Sequence, residues 1–191
     1  MRRMRQGLLG GRRAHRILGP VPHPALQRLR LAHARREAGD YLAAALEFHA
    51  LAESGEAEGI PRSIQAYLLA GQSFLLAGQR DPGLADLRHG VEAATRFGQL
   101  PRLASAASRI AAELQASGFG QEAAAFLSML ESAGQPSVAA QPSPAGALKP
   151  PRLPAKCPSC GGIVHPGEVE WADPHSVICD FCGSVIPAIE G

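Results

Sequence analysis

The chain has 191 residues, 46% hydrophobic and 19% charged, with a formal net charge of +2, so it holds enough apolar material for a core and is not a polar, disordered polymer. No run of eighteen apolar residues occurs in it, which excludes a transmembrane helix. The charge is unevenly spread: residues 1 to 36 hold ten arginines and no acid, whereas residues 37 to 191 hold nine basic and seventeen acidic residues.

Residues 1 to 23 read as an Arg-rich flexible arm carrying Arg2, Arg3, Arg5, Arg12, Arg13 and Arg16. Such a charge excess suits an anionic partner, whether nucleic acid, an acidic membrane surface or an acidic protein surface, and a solvated tail accounts for it equally well. Gly7, Gly10 and Gly11 disfavour a helix here, which makes a membrane the weaker option. The arginines are not followed by the apolar stretch of a secretory signal, and residues 1 to 24 lack the serines of a transit peptide. The expected location is cytoplasmic. Seventeen arginines against two lysines, with abundant Ala, Gly and Pro, point to a GC-rich and so bacterial origin.

Residues 24 to 133 carry a repeat. Ala38-Gly39, Ala77-Gly78 and Ser117-Gly118 recur every 39 to 40 residues, with Pro61 and Pro101 between them. A fixed period of this size predicts stacked helical hairpins, the glycine ending the first helix of each pair and proline tolerated in a first turn. The helices are expected near 24 to 38, 41 to 54, 61 to 77, 82 to 97, 101 to 117 and 120 to 133, with Arg80-Asp81-Pro82 read as an inserted turn. Tyr41, Leu42, Leu46, Phe48, Leu51, Phe74, Leu87, Ile110, Leu114, Phe126 and Leu130 form the candidate core. His49 and His89 fall in second helices and read as packing or surface residues.

Measured from the glycines, the segment resembles the tetratricopeptide repeat. Tyr67, Gly71, Phe74 and Gly78 occupy that family's first-helix positions in unit two, Ala44 and Phe48 its second-helix positions in unit one, and Ala123 the small position in unit three. The period is five or six residues longer than the usual 34, and Arg35 stands where an aromatic is expected, so the segment is read as a tetratricopeptide-like α-solenoid of three hairpins. The resemblance implies a concave groove lined by first helices, here His33, Arg36, Gln65, Gln72, Ser105, Ser108 and Gln115, of the kind that binds peptides or helices.

Residues 134 to 156 form a Pro-rich linker whose composition cannot support a core, so the segments on either side are expected to move independently. Beyond it lie the chain's only four cysteines, Cys157-Pro-Ser-Cys160 and Cys179-Asp-Phe-Cys182, eighteen residues apart. Two C-x-x-C pairs, each followed by glycine, predict knuckles that close a four-thiolate zinc site. Disulfides suit a secreted chain, and a redox C-x-x-C is normally a single pair at a helix start. Four thiolates leave no open position for a catalytic water, so the metal is expected to be structural, and iron remains an alternative to zinc. His165 and His175 read as surface loop residues. With short β-like runs between the pairs, residues 157 to 191 resemble a zinc ribbon; the implied fold class is mainly α, an α-solenoid plus a small β ribbon.

Residues 157 to 191 hold five acids and no lysine or arginine, and a zinc tetrathiolate adds negative charge, so this segment repels phosphate and is expected to touch protein. No phosphate loop, G-x-S-x-G or cysteine outside the metal set is present, and the histidines are scattered, so a non-enzymatic chain is expected. The leading expectation is an adaptor with protein partners at the groove and the ribbon. The alternative is a nucleic-acid-associated factor whose arm contacts RNA or DNA, and a third reading docks the arm on the acidic ribbon.

Overall fold

The structure is a computed structural model that describes residues 23 to 134 and 152 to 189; the arm with its six named arginines, and most of the Pro-rich linker, lie outside the described residues. Six helices follow one another: α1 (His23–Glu37), α2 (Tyr41–Ala57), α3 (Ser63–Leu76), α4 (Arg80–Arg96), α5 (Leu100–Ala116) and α6 (Gly120–Ser132). Three short strands follow: β1 (Glu170–Asp173), β2 (Ser176–Ile178) and β3 (Val185–Pro187). No described helix is long and apolar enough to cross a membrane.

Each described helix is followed by a glycine at positive φ. At α3, Gly78 adopts φ +75°, which glycine reaches without a side-chain penalty, and the next residue, Gln79, donates its N–H to the Phe74 carbonyl at 2.8 Å. Gly39 and Gly118 do the same for α1 and α5, and Gly59 and Gly98 for α2 and α4, which the 39-to-40-residue period overlooked, while Gly134 adopts the same positive φ after α6. At the N-terminal side, Asp40 caps α2 by accepting from the Ala43 N–H at 3.4 Å. The segment Arg80-Asp81-Pro82 is the first turn of α4 and not an inserted turn. Proline is accommodated there because a first-turn N–H has no intrahelical partner to lose.

Consecutive helices pack on one another, α2 between α1 and α3, α3 against α4, and α5 against α6. On α5, Leu100, Leu103, Ala107, Ile110 and Leu114 recur at helical spacing and are all buried. The closest approach is between α3 and α4: a Cβ on Gly71 would lie 2.8 Å from the Gly83 carbonyl oxygen and 2.8 Å from Leu87 Cγ. Phe48, Phe74, Leu87, Ile110, Leu114, Phe126 and Leu130 are buried as expected, and Tyr41 and Leu51 are half-buried. Leu42 and Leu46 are 46% and 55% exposed, because the side of α2 they share faces neither α1 nor α3.

The strands form an antiparallel sheet in the order β1-β2-β3, with Trp171 opposite Val177 and Val177 opposite Ile186. Val177 and Ile186 are fully buried. Backbone pairing reaches upstream of the first cysteine: Ile189 donates to the Arg152 carbonyl at 2.7 Å, and Val164 donates to the Ala155 carbonyl at 3.0 Å. This small cysteine module is seated against the helices and does not stand apart from them. Leu29, Ala32, Phe48 and Ala70 share one apolar cluster with Val164, Val177, Ile186 and the four cysteines.

Candidate metal centre

The two cysteine pairs sit in knuckles with matching hydrogen bonds. Gly161 donates to the Cys157 carbonyl at 2.9 Å and Cys157 to the Gly162 carbonyl at 2.8 Å; Gly183 donates to the Cys179 carbonyl at 2.8 Å and Cys179 to the Ser184 carbonyl at 2.9 Å. Both turns need a residue at positive φ, and Gly161 and Gly183 supply it at +81° and +71°. Each knuckle therefore turns both of its thiols toward one point.

All four Sγ atoms are buried and lie within 4.8 Å of one another, a set that could hold a metal ion. The Cys157–Cys182 and Cys160–Cys179 sulfurs are each 3.7 Å apart. A tetrahedron with metal–sulfur bonds of about 2.3 Å has an edge of about 3.8 Å, whereas a disulfide would bring two sulfurs to about 2.05 Å. The donors fit a tetrahedral ion. The surroundings fit one too: the Gly162 N–H points at Cys160 Sγ at 3.4 Å, and Ser184 Oγ lies 3.3 Å from Cys182 Sγ. Hydrogen bonding from Cys160 and Cys179 draws the Cys157 thiol down to about 6, while contact with Cys157 and the other thiols, and then burial, pushes Cys160 up. Four thiols this close share protons unevenly, and a cation resolves the conflict.

The faces of α1, α3 and α5 receive this module. Phe181, inside the second C-x-x-C, packs edge-on to His33 with ring centroids 5.1 Å apart, and His33 packs in the same way on Phe48. Gly162 is required beneath that ring, since any Cβ there would run into Phe181. Arg109 forms a bidentate pair with Glu168 at 2.7 and 2.8 Å, Arg102 pairs with Asp180 and reaches the Glu168 carbonyl at 3.4 Å, and Arg30 donates to the Ser159 carbonyl. At the edge, Lys156 meets Glu37 at 2.8 Å. Arg62 lies over the second knuckle; burial lowers its affinity for a proton, and Cys182, Cys179 and Asp180 offset part of that loss. For Arg109 burial also opposes the charge, but the bonds to Glu168 and Glu113 prevail and hold the guanidinium more firmly protonated than usual.

The predicted groove residues divide. His33, Arg36, Gln65 and Gln72 line, together with Arg109, Glu113, His165 and Phe181, a cavity of about 50 Å³ between helices and module. Arg36 donates to Gln72 Oε1 at 3.1 Å. His33 is 7% exposed, and burial, then the Arg36 charge, lowers its ring to about 4, so it is neutral at physiological pH. Ser108 and Gln115 are exposed on α5, and the Ser105 side chain lies outside the described residues. His175 is exposed as expected, while His165 is half-buried against the cavity. Arg30, Arg62, Arg102 and Arg109 were missed by sequence reasoning. The signal available was a set of arginines on first helices facing a segment with acids and no bases, Arg102 and Arg109 lying two turns apart.

A second polar cluster lies between α2 and α4. Asp86, 2% exposed, accepts from His49 Nδ1 at 2.9 Å, and Tyr67 donates to Glu56 at 2.7 Å. Burial raises the Asp86 carboxyl and the His49 contact offsets part of the rise, so the cluster satisfies buried polar groups at a helix junction.

No family model matches the chain, and neither a curated protein nor a solved structure resembles it significantly.

Proposed function

We propose that the chain is a non-enzymatic protein–protein adaptor of cytoplasmic, bacterial type, in which a tetratricopeptide-like α-solenoid carries a zinc ribbon whose four-cysteine site is structural. The observation that supports this reading best is the closed thiol set. Four buried sulfurs at tetrahedral edge distance provide all the ligands zinc needs and leave it no position for substrate or water. When bound, the ion supplies cross-linking and charge balance only. The chain's own residues do the rest: Gly161 and Gly183 shape the knuckles, the Gly162 N–H supports a sulfur, and Arg62 offsets negative charge over the second knuckle.

The test combines metal analysis with capture of partners from the native host. Full-length protein and a version lacking residues 1 to 23 are each used with and without nuclease. One zinc per chain, with protein partners that survive nuclease and loss of the arm, supports the adaptor. Partners that vanish with nuclease, or with the arm, overturn it in favour of a nucleic-acid-associated factor.

A further inference from the structure

The contacts between helices and module have a chemical pattern of their own. From the module come an acidic–aromatic pair, Asp180 and Phe181, and a second acid, Glu168; the module has no lysine or arginine between 157 and 191. From the helices come Arg102 and Arg109 for the two acids, and an apolar seat beside His33 for the ring. The module therefore occupies this face as a peptide ligand occupies a groove. The inference rests on the adaptor reading and adds the chemistry of the partner.

We propose that this face of α1, α3 and α5 is a receptor for an acidic peptide segment bearing an aromatic residue, and that the cysteine module is its built-in occupant, which such a partner replaces. Charge complementarity selects the class, since two carboxylates of the module meet two arginines of α5. The seat for the ring selects protein over nucleic acid. Phe181 packs against an apolar cluster that includes Leu29, Phe48, Leu69 and Ala70, beside the charged contacts. Access depends on the metal site because the segment that presents Asp180 and Phe181 lies between Cys179 and Cys182. Without the cross-link, this short module loses the geometry that seats it.

The probe is a fluorescein-labelled synthetic peptide copying residues 165 to 182 with serine at both cysteine positions, which retains Glu168, Asp180 and Phe181. Its anisotropy is followed with zinc-loaded full-length protein, with the same protein stripped of metal, and with zinc-loaded Glu168→Lys, whose cysteines are intact but whose clasp to Arg109 is broken. The expected result is at least tenfold tighter binding to the stripped protein and to Glu168→Lys than to the loaded wild type. Arg109→Glu, stripped of metal, should lose at least tenfold. Circular dichroism checks that the stripped helices persist; if they do not, the Glu168→Lys comparison decides alone. Equal affinity for loaded wild type and Glu168→Lys overturns the proposal, and so does a single-stranded oligonucleotide that competes as well as the peptide. Capture of nuclease-resistant partners with no change in probe affinity would overturn this inference and leave the adaptor standing. The reverse pattern would overturn the adaptor alone.

Discussion

The helices and the cysteine module solve the same problem by different means. Helices α3 to α6 share an extended apolar core running from Ile64 to Leu130, so their stability is spread over many buried side chains and glycine-ended turns. Among the described residues, the apolar side chains the module buries besides its cysteines are Val164, Val177 and Ile186, and part of that small core is covered by Leu29, Ala32 and Phe48 of the helices. A core of that size does not hold a fold by itself. One region is made by periodicity, and the other by four sulfurs and a borrowed wall.

The largest test of this contrast is removal of the metal. Stripping it, or replacing Cys182 with serine, should unfold the module, whose metal-linked folding free energy is on the order of 10 kcal/mol, while the helices persist. Amide NMR spectra would show resonances of residues 152 to 189 collapsing while those of 23 to 134 remain dispersed. Loss of both sets together would break the comparison.

Phe74→Ala attacks the other side. Phe74 is 6% exposed, and its truncation should cost about 3 to 5 kcal/mol in urea denaturation with one metal per chain retained. A cost under about 1 kcal/mol would mean that the helices do not depend on that packing.

The junction responds to acid. His33 titrates near 4 in the folded chain against 6.5 for a free ring, so the unfolded chain takes up the proton first as pH falls. Its contribution is complete above about pH 6.5 and is withdrawn on the way to pH 4, on the order of 3 kcal/mol in all. His33→Gln should therefore show a shallower decline of stability than wild type across that window. Parallel declines would show that His33 does not carry the effect. The smallest expected change is at Leu46, which is 55% exposed. Leu46→Glu should change the unfolding free energy by no more than about 0.5 kcal/mol, and a larger loss would assign that side of α2 a packing role.

Much of the helical region was legible because its signals are local. A glycine at the end of a helix, and the spacing of Ile110 and Leu114, each act within a turn or two. The thiol cluster was legible for the same reason, two short spacings each closed by glycine. What escaped was set at long range. Leu42 and Leu46 share the helical period of true core residues, and only the position of the neighbouring helices leaves them uncovered. The seating of the module on α1, α3 and α5 joins Arg109 to Glu168 across 59 residues, a pairing that no local pattern encodes. The negative charge of the module was read as repelling phosphate, and the arginines that meet it among the described residues belong to the helices.

Trp171 lies on β1 opposite the buried Val177, and it is the chain's single tryptophan. The helices contain none, so its fluorescence reports the module while far-ultraviolet dichroism, dominated by six helices, reports the rest. The protein thus contains a natural two-channel reporter in which unseating of the module and melting of the helices can be timed separately in a single sample, without a label.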